Sequence, residues 1–170
     1  MKQAFSPNVV FISQNKGRIA QEILEDLPKW FGIPASIAEY VKEAARLPML
    51  ASVSPDGTVA GFLSLKATSA FAMEVHVMGV RRDWQGKGVG RALVQEAKAY
   101  AEREGARFLT VKTIAASKPD ENYAATRAFY ESVGFLPVEE FPTLWGINNP
   151  CLLMILPIGL QSGSRIRSKR

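Results

Sequence analysis

Three glycines stand directly before a helix-like pattern in the stretch RRDWQGKGVGRALV, residues 81–94. They are Gly86, Gly88 and Gly90. Glycine in such a place costs conformational order, but it allows backbone N–H groups to approach a bound anion closely. The beginning of a helix also favours negative charge. The stretch therefore predicts an anion-binding loop, while a plain glycine-rich turn between a strand and a helix is the structural alternative.

Two common nucleotide-binding patterns do not fit this loop. The G-x-x-x-x-G-K-[ST] pattern fails because Gly88 follows Lys87 and because Arg81 occupies the position of the first glycine. The dinucleotide pattern G-x-G-x-x-G fails because the glycines are evenly spaced at every second residue. What remains is the pattern Gln85-x-x-Gly88-x-Gly90 between a strand and a helix.

A second group of residues could move protons. Glu74 lies on a strand-like segment eleven residues before Gln85, and strand alternation places Glu74, His76 and Met78 on one face. A carboxylate among apolar strand residues would have a raised pKa, towards the range useful for a general base. His76, the only histidine, could share a proton relay or could serve packing and hydrogen bonding. A structural or solvated glutamate is the alternative for Glu74.

The hydrophobic pattern predicts the elements that must position these residues. Apolar residues four apart, such as Ile19 and Ile23, indicate helices, and alternating β-branched runs indicate strands. In chain order we expect a strand at 8–13, helices at 17–31 and 34–47, a hairpin at 49–66, a strand at 70–80, a helix at about 89–104, a strand at 106–113, a helix that stops at Gly134, and strands at 135–141 and 151–158. This order predicts an α/β (α+β) fold, a mixed sheet with helices packed on it.

Composition indicates one globular domain over residues 1–160. The chain has 170 residues, of which 47% are hydrophobic and 22% charged. It has no apolar run of about 18–20 residues and no secretory leader pattern, so we expect a cytoplasmic protein that does not enter a membrane. The single cysteine, Cys151, leaves no disulfide framework and no zinc ribbon, and we expect no metal site.

The net charge of +5 is concentrated at one end of the chain. Residues 161–170, QSGSRIRSKR, carry four basic residues and no acidic one, which leaves about +1 for the rest. We interpret this basic tail as disordered. A nearly neutral body offers no phosphate-backbone footprint, so we expect no nucleic-acid partner.

Over about residues 8–158 the chain resembles the GCN5-related N-acetyltransferase (GNAT) superfamily. The stretch VHVMGVRRDWQGKGVGRALV, residues 75–94, is similar to motif A of that family. The stretch TRAFYESVGF, residues 126–135, is similar to the end of its motif B. The resemblance implies the GNAT fold, a mixed, mostly antiparallel sheet splayed between its fourth and fifth strands with helices on both faces. It also implies acetyl-coenzyme A as the acetyl donor.

The resemblance implies a set of donor-binding residues. Backbone groups of Met78 and Val80 would meet the pantetheine arm and the thioester. The N–H groups of residues 86–91 would hold the pyrophosphate, with the neighbouring cations, Arg82 among them, as candidate charge partners. The implied set is Met78, Val80, Arg81, Gln85, Gly86, Lys87, Gly88, Val89, Gly90, Arg91, Asn122 and Arg127.

The resemblance also implies two catalytic residues. Tyr130, four residues before Gly134, stands where the family often has the tyrosine that protonates the leaving thiolate. Glu74 stands at the spacing of the general base in the histone-acetyltransferase branch. The motif departs at one point, because the asparagine expected seven residues before the tyrosine is Tyr123 here. Asn122, one residue earlier, could serve from a shifted register or cap the helix.

The acceptor implied is a primary amine, and we expect that of a small molecule. A protein lysine or N-terminus is the second possibility, and a coenzyme A-binding sensor or scaffold without catalysis is the third. A homodimer is left open. An aromatic pocket with carboxylates would suit a cationic amine. Its candidate residues are Trp30, Phe31 and Tyr40 near Glu25, Asp26 and Glu39, with Glu139, Glu140 and Trp145 as a second candidate rim.

Overall fold

The computed structural model describes residues 6–159 and contains one seven-stranded sheet. The strands are β1 (Asn8–Ile12), β2 (Met49–Val53), β3 (Val59–Ala67), β4 (Ala72–Val80), β5 (Phe108–Ile114), β6 (Leu136–Phe141) and β7 (Cys151–Pro157). The helices are α1 (Lys16–Glu25), α2 (Pro34–Ala44), α3 (Val89–Arg103) and α4 (Glu121–Ser132). The predicted domain boundary and the basic tail at 161–170 lie outside the described residues.

The sheet is antiparallel except at one pair of strands. Its order is β1-β2-β3-β4-β5-β7-β6, and only β4 and β5 run parallel. Their pairing begins at Ala72 with Phe108 and ends at Val75 with Val111, although β4 continues for five more residues. The two strands therefore diverge beyond Val75. This confirms the predicted fold class, including the splay between the fourth and fifth strands.

A β-bulge at His76 changes which side chains of β4 share a face. On β3, Ser64 is paired with Val77 and Leu65 with Val75, so His76 is one extra residue on β4. As a result Met78 packs with the α3-side core, while Val77 packs in the core under α1 and α2. The prediction that Glu74, His76 and Met78 share one face is therefore wrong for Met78, because strict alternation fails at a bulge.

Helices cover both faces of the sheet. On one face α3 buries Leu93 and Ala97 in a core that also contains Tyr130 of α4. On the other face α1 and α2 pack over Phe62, which is fully buried together with Ile23. Burial of aromatic and aliphatic side chains on both faces holds the sheet between the helical layers. Within residues 6–159, no helix is both long enough and apolar enough to cross a membrane.

The first helix ends six residues before its predicted end. Helix α1 stops at Glu25, and residues 26–33 form the connection to α2. Pro28 explains the early end, because proline disfavours helical geometry in the residue before it and cannot continue the helix. Trp30 and Phe31, which the sequence pattern assigned to a helix, are thereby placed in a loop that we call the α1–α2 loop (residues 26–33).

Helix α4 begins with a side-chain cap. The Asp120 carboxylate accepts hydrogen bonds from the backbone N–H groups of Asn122 at 2.8 Å and Tyr123 at 3.1 Å. Such a cap satisfies two N–H groups that have no partner inside the helix. The cap is therefore Asp120, and the alternative that Asn122 caps the helix is wrong.

Candidate active site

A cavity of about 790 Å³ opens where β4 and β5 diverge. Its walls come from the α1–α2 loop, the second half of β4, the glycine loop before α3, the end of β5 and one side of α4. The glycine loop is residues 85–90. A volume of this size lies within the usual range for small-molecule sites. The divergence of β4 and β5 therefore opens a cavity large enough for a small molecule.

The glycine loop presents the start of α3 to this cavity. Gly88 is the N-cap of α3, with φ of +82°, and no side chain caps the helix. The first N–H groups of a helix have no partner within it, so those of α3 remain able to bind an anion. Gly86, Gly88, Val89 and Gly90 all line the cavity. The predicted anion loop thus borders the cavity at a helix start that no side chain caps.

Gly90 is tightly packed, and its backbone does not have a positive φ. A Cβ at this position would lie 3.1 Å from Met78 Cε and 3.1 Å from Phe129 Cζ. The loop is held from its other end by Gln85, whose Nε2 donates to the carbonyl of Val80 at 3.1 Å. Gln85, Met78 and Val80 also line the cavity.

Four basic residues surround the glycine loop: Arg81, Arg82, Lys87 and Arg91. Of these, Arg91 belongs to the described lining of the cavity. Its guanidinium is exposed and reaches the carbonyl and the hydroxyl of Ser132 at 3.4 Å. Arg81 is turned away from the cavity, with Nε donating to the carbonyl of Val59 at 2.9 Å and Nη2 bound to Glu22 at 3.3 Å. Arg81 therefore fastens β4 to β3 and α1 rather than meeting the cavity.

The other two cations also have partners outside the cavity. Arg82 forms an ion pair with Asp26 at 3.2 Å, and its backbone N–H donates to the same carboxylate. These hydrogen bonds from Arg82 hold the pKa of Asp26 below its ordinary value. The Lys87 ammonium lies over the ring of Trp84, 5.1 Å from its centroid. Neither Arg82 nor Lys87 lines the cavity.

Asn122 and Arg127 of α4, both predicted to bind the donor, do not belong to the described lining of the cavity. Arg127 donates from Nη1 to the carbonyl of Ile114 at 2.7 Å, which fixes α4 to the end of β5. Tyr123, the residue in place of the family asparagine, does line the cavity, and its hydroxyl donates to the carbonyl of Trp30 at 3.0 Å.

A second hydrogen bond joins the same two elements. The indole N–H of Trp30 donates to Thr126 Oγ1 at 3.0 Å. Together with the Tyr123 bond it forms a strap, by which we mean the contacts of Tyr123 and Thr126 on α4 with Trp30 on the α1–α2 loop. All three residues line the cavity, so the strap bridges two of its walls. Sequence reasoning missed it, because its partners are more than ninety residues apart.

Tyr130 lies at the cavity wall and is 8% exposed. Its ring packs against Phe129 and Phe135, with centroids 5.4 Å apart in both cases. Burial raises the pKa of Tyr130 above its ordinary value. The phenol is therefore protonated at neutral pH and is chemically able to donate a proton to a nearby anion.

Glu74 is buried behind the cavity wall rather than on it. Its side chain is 11% exposed and forms an ion pair with Lys112 of β5. Its other oxygen lies 3.5 Å from His76 Nδ1. Burial acts to raise the pKa of Glu74, but the hydrogen bonds from His76 and Lys112 together outweigh it, and the pKa lies below its ordinary value. The prediction of a raised pKa is wrong, since it counted apolar neighbours and not these two donors.

His76 connects Glu74 to the cavity. The imidazole lines the cavity, lies against the ring of Tyr40 at 5.8 Å between centroids, and contacts the Glu43 carboxylate of α2 through Nε2. Lys66 approaches the same carboxylate at 3.6 Å. His76 therefore contacts two carboxylates, one through each ring nitrogen. Sequence reasoning found His76 and Glu74 but missed Glu43 and Lys112, because their contacts depend on the register of the sheet and the position of α2.

The predicted aromatic pocket is present, but its carboxylates are not. Trp30, Phe31, Tyr40 and Trp145 line the cavity. The acidic residues of both predicted rims are absent from that lining, namely Glu25, Asp26, Glu39, Glu139 and Glu140. Glu25 accepts a hydrogen bond from Gln21 on its own helix, Asp26 is paired with Arg82, and Glu140 is bonded to Ser117.

Comparison with known proteins identifies the family of this chain. A model of the acetyltransferase (GNAT) family matches residues 18–135, more than half of the chain. The chain belongs to the GNAT acetyltransferase family. It is therefore a member of a family of acyltransferases, as the two motifs indicated.

The relatives of this GNAT protein differ in their acceptors. It is 42% identical over 76 residues to the N-alpha-acetyltransferase RimI of Mycobacterium tuberculosis, a match that covers 45% of this chain and 42% of the relative. It is 36% identical over 83 residues to the mycothiol acetyltransferase of Beutenbergia cavernae, which covers 49% of this chain and 26% of the relative. The matches thus span less than half the length of these curated relatives.

The fold is shared more widely than the sequence. The structure of an aminoglycoside 6'-N-acetyltransferase complexed with coenzyme A superposes with a TM-score of 0.72 at 17% identity, covering 92% of this chain and 99% of that one. At this identity the likeness shows the GNAT fold alone. The acceptor of the present protein must therefore be argued from its own residues.

Proposed function

We propose that this GNAT protein transfers the acetyl group of acetyl-coenzyme A to a primary amine of a small molecule. The observation that carries the proposal is that one cavity collects the uncapped start of α3, the protonated Tyr130 and the His76–Glu74 pair. An anion site, an acid and a base are the three functions that acetyl transfer from a thioester requires.

The residues present fit a coenzyme A donor. The free N–H groups at Gly88, Val89 and Gly90 would hold the pyrophosphate, and a side chain at Gly90 would press on Met78 and Phe129. Arg91 would contribute charge from the cavity rim. The β5-facing edge of β4 beyond Val75 has no strand partner, so the backbone of Met78 and Val80 is the proposed site for the pantetheine arm. When bound, the donor supplies an activated thioester.

Arg81, Lys87, Asn122 and Arg127 have a smaller part in this proposal. Arg81 and Arg127 are committed to backbone carbonyls of neighbouring strands, which supports structural roles. Lys87 rests on Trp84, and Asn122 contributes its backbone to the start of α4. We retain Gln85 as a residue that shapes the loop, because its amide holds the carbonyl of Val80.

The acceptor amine must lose a proton before it can attack. An alkyl ammonium has a pKa of about 10.4, so only a small fraction is reactive at neutral pH. We propose that the His76–Glu74 pair receives this proton, with His76 at the cavity surface and Glu74 stabilising the imidazolium from behind. Glu74 thus keeps the role of base through His76 rather than by direct contact.

Tyr130 is the proposed general acid. Its phenol stays protonated because burial raises its pKa, and it faces the same cavity as the glycine loop. Proton donation to the departing thiolate would prevent that anion from attacking the new amide. Two other phenols line the cavity, but the hydroxyl of Tyr123 donates to the carbonyl of Trp30, and Tyr40 packs against His76, which we propose as part of the base.

The strap favours a small acceptor over a peptide. It bridges the α1–α2 loop and α4 by two hydrogen bonds of 3.0 Å and so narrows the space between these walls. The match to RimI favours a peptide N-terminus as the second candidate. A sensor or scaffold that binds coenzyme A without catalysis would need neither the His76–Glu74 pair nor a buried phenol.

A thiol-release assay separates these possibilities. Acetyl-coenzyme A is mixed with the protein and, in separate reactions, with simple amines, an alanine-initiated peptide and no acceptor. The proposal predicts release that depends on a small amine. Release only with the peptide would favour the second candidate. Binding of acetyl-coenzyme A without release for any acceptor would contradict catalysis.

A further inference from the structure

The acceptor half of the cavity has an aromatic wall. We use this name for Trp30, Phe31, Tyr40, Tyr123 and Trp145, all of which line the cavity. Phe31 and Tyr40 are packed edge to face, with ring centroids 5.8 Å apart. Trp30 and Tyr123 are fixed by the strap. The wall is therefore an ordered apolar surface with few free polar groups.

No carboxylate belongs to the described lining of this cavity. The fully charged side chains that line it are Arg91 and Lys112. The two carboxylates that contact His76, Glu43 and Glu74, are absent from that lining and already have basic partners. The cavity therefore has no free anion that could pair with a cation on the acceptor.

This charge distribution distinguishes between kinds of amine. The amine that is acetylated loses its proton to the His76–Glu74 pair and enters the reaction uncharged. A second ammonium on the same molecule would stay charged and would lose water against the aromatic wall, where the described lining offers no carboxylate to pair with it. Cation–π attraction recovers only part of the hydration that an ammonium loses when no carboxylate pairs with it.

We propose that the acceptor is a monoamine carried on an uncharged aromatic or alkyl body, and that the cavity selects against polyamines and aminoglycosides. This inference rests on the proposed function, since it names the substrate class of the same site. It differs from the expectation of a carboxylate-lined pocket for a cationic amine, because those carboxylates are bound elsewhere.

A matched pair of amines tests the inference. Hexylamine and 1,6-diaminohexane have the same length and differ only by a terminal ammonium. We expect kcat/KM to be at least tenfold higher for hexylamine in a thiol-release assay at constant ionic strength. Equal or higher kcat/KM for the diamine would overturn the inference and leave the proposed function standing. If neither amine is acetylated while another primary amine is, the inference fails and the proposed function stands; thiol release with no amine at all would contradict the proposed function itself.

A charge introduced into the lining provides the second test. Ser36 lies in the first turn of α2 and lines the cavity, whereas Ala38 lies in the same helix, is exposed and is absent from the described lining. Ser36→Asp should shift the preference towards the diamine by at least fivefold, and Ala38→Asp should leave it unchanged. Both changes add one negative charge near the same end of α2. A difference in amine preference between the two variants therefore reports the effect of a charge inside the cavity. An unchanged preference in folded Ser36→Asp would contradict the proposed mechanism of selection.

Discussion

Replacing Glu74 by glutamine tests both the stability and the chemistry of the buried cluster. Glutamine keeps the shape of the side chain but removes the charge that pairs with Lys112 and faces His76. Removal of one partner of a fully buried ion pair costs about 3–5 kcal/mol. The Lys112 side chain is 32% exposed here, so water compensates part of this loss. We therefore expect a decrease of about 2–3 kcal/mol in the free energy of unfolding.

The matched control is Glu43→Gln, which also removes a carboxylate contact of His76. The Glu43 side chain is 41% exposed, and exposed pairs contribute at most about 1 kcal/mol. Urea unfolding of both variants at pH 7 measures the difference. If Glu74→Gln is as stable as Glu43→Gln, the buried pair does not stabilise the sheet at the splay, and the reasoning is refuted.

The same variant tests the proton path. Acetylation by Glu74→Gln should be slow at neutral pH, because the imidazolium loses the carboxylate behind it. Activity should recover at high pH, where the amine deprotonates without help. A pH–rate profile between pH 6 and 10 provides the measurement. A variant with the wild-type rate and the wild-type acidic limb would show that the pair is not the base.

Other perturbations separate the roles of single residues. Tyr130→Phe should lower kcat roughly 10²-fold with little change in the KM for acetyl-coenzyme A, as steady-state kinetics would show; a near-normal kcat would make Tyr130 a packing residue. Gly88→Val forces a β-branched residue into a φ of +82° and should weaken coenzyme A binding by about 1–2 kcal/mol. If calorimetry on the folded variant shows unchanged affinity, the glycine loop does not bind the pyrophosphate. Tyr123→Phe removes the strap bond to Trp30 and should raise the acceptor KM about fivefold while the donor KM stays constant, since one hydrogen bond contributes about 1 kcal/mol. A change confined to the donor KM would instead give Tyr123 the cofactor role of the family asparagine. For Glu74, whose folded pKa is lowered, the charge stabilises the fold above the ordinary value of 4.5 and loses this effect as pH falls through the folded pKa; the stability difference from Glu74→Gln should therefore shrink only in acid, and a difference that shrinks near pH 7 would contradict this.

The glycine loop was predictable because its information is local. The spacing of Gln85, Gly88 and Gly90 after a strand and before a helix is visible in fourteen residues of sequence. The structure places Gly88 at the start of α3 and all three residues at the cavity, as that spacing predicts. The donor-binding roles themselves stay predictions.

The environment of Glu74 could not be read from the sequence. Its contact with Lys112 arises from the parallel pairing of β4 and β5, and the bulge at His76 arises from the register of β3. Neither register is encoded in β4 alone, so strict alternation placed Met78 on the wrong face. The lowered pKa of Glu74 follows from these long-range contacts and not from its apolar neighbours.

One half of the predicted aromatic and acidic pocket could be predicted from the sequence. The aromatic residues Trp30, Phe31 and Tyr40 were found as a cluster in the sequence, and they do line the cavity. The neighbouring acids Glu25 and Asp26 were assigned to the same pocket because proximity in sequence does not tell which way a side chain points. Pro28 disfavours helical geometry in the residue before it, which separates the α1–α2 loop from α1.

The central claim is that one cavity binds acetyl-coenzyme A and transfers its acetyl group to an amine nitrogen. The most direct measurement mixes the protein with acetyl-coenzyme A labelled with ¹³C in the acetyl group and with hexylamine, and follows both products by mass spectrometry. The account predicts labelled N-acetylhexylamine and free coenzyme A in equal amounts, with formation strongly reduced in Tyr130→Phe. Free coenzyme A accompanied by labelled acetate, or tight binding without any product, would contradict the account.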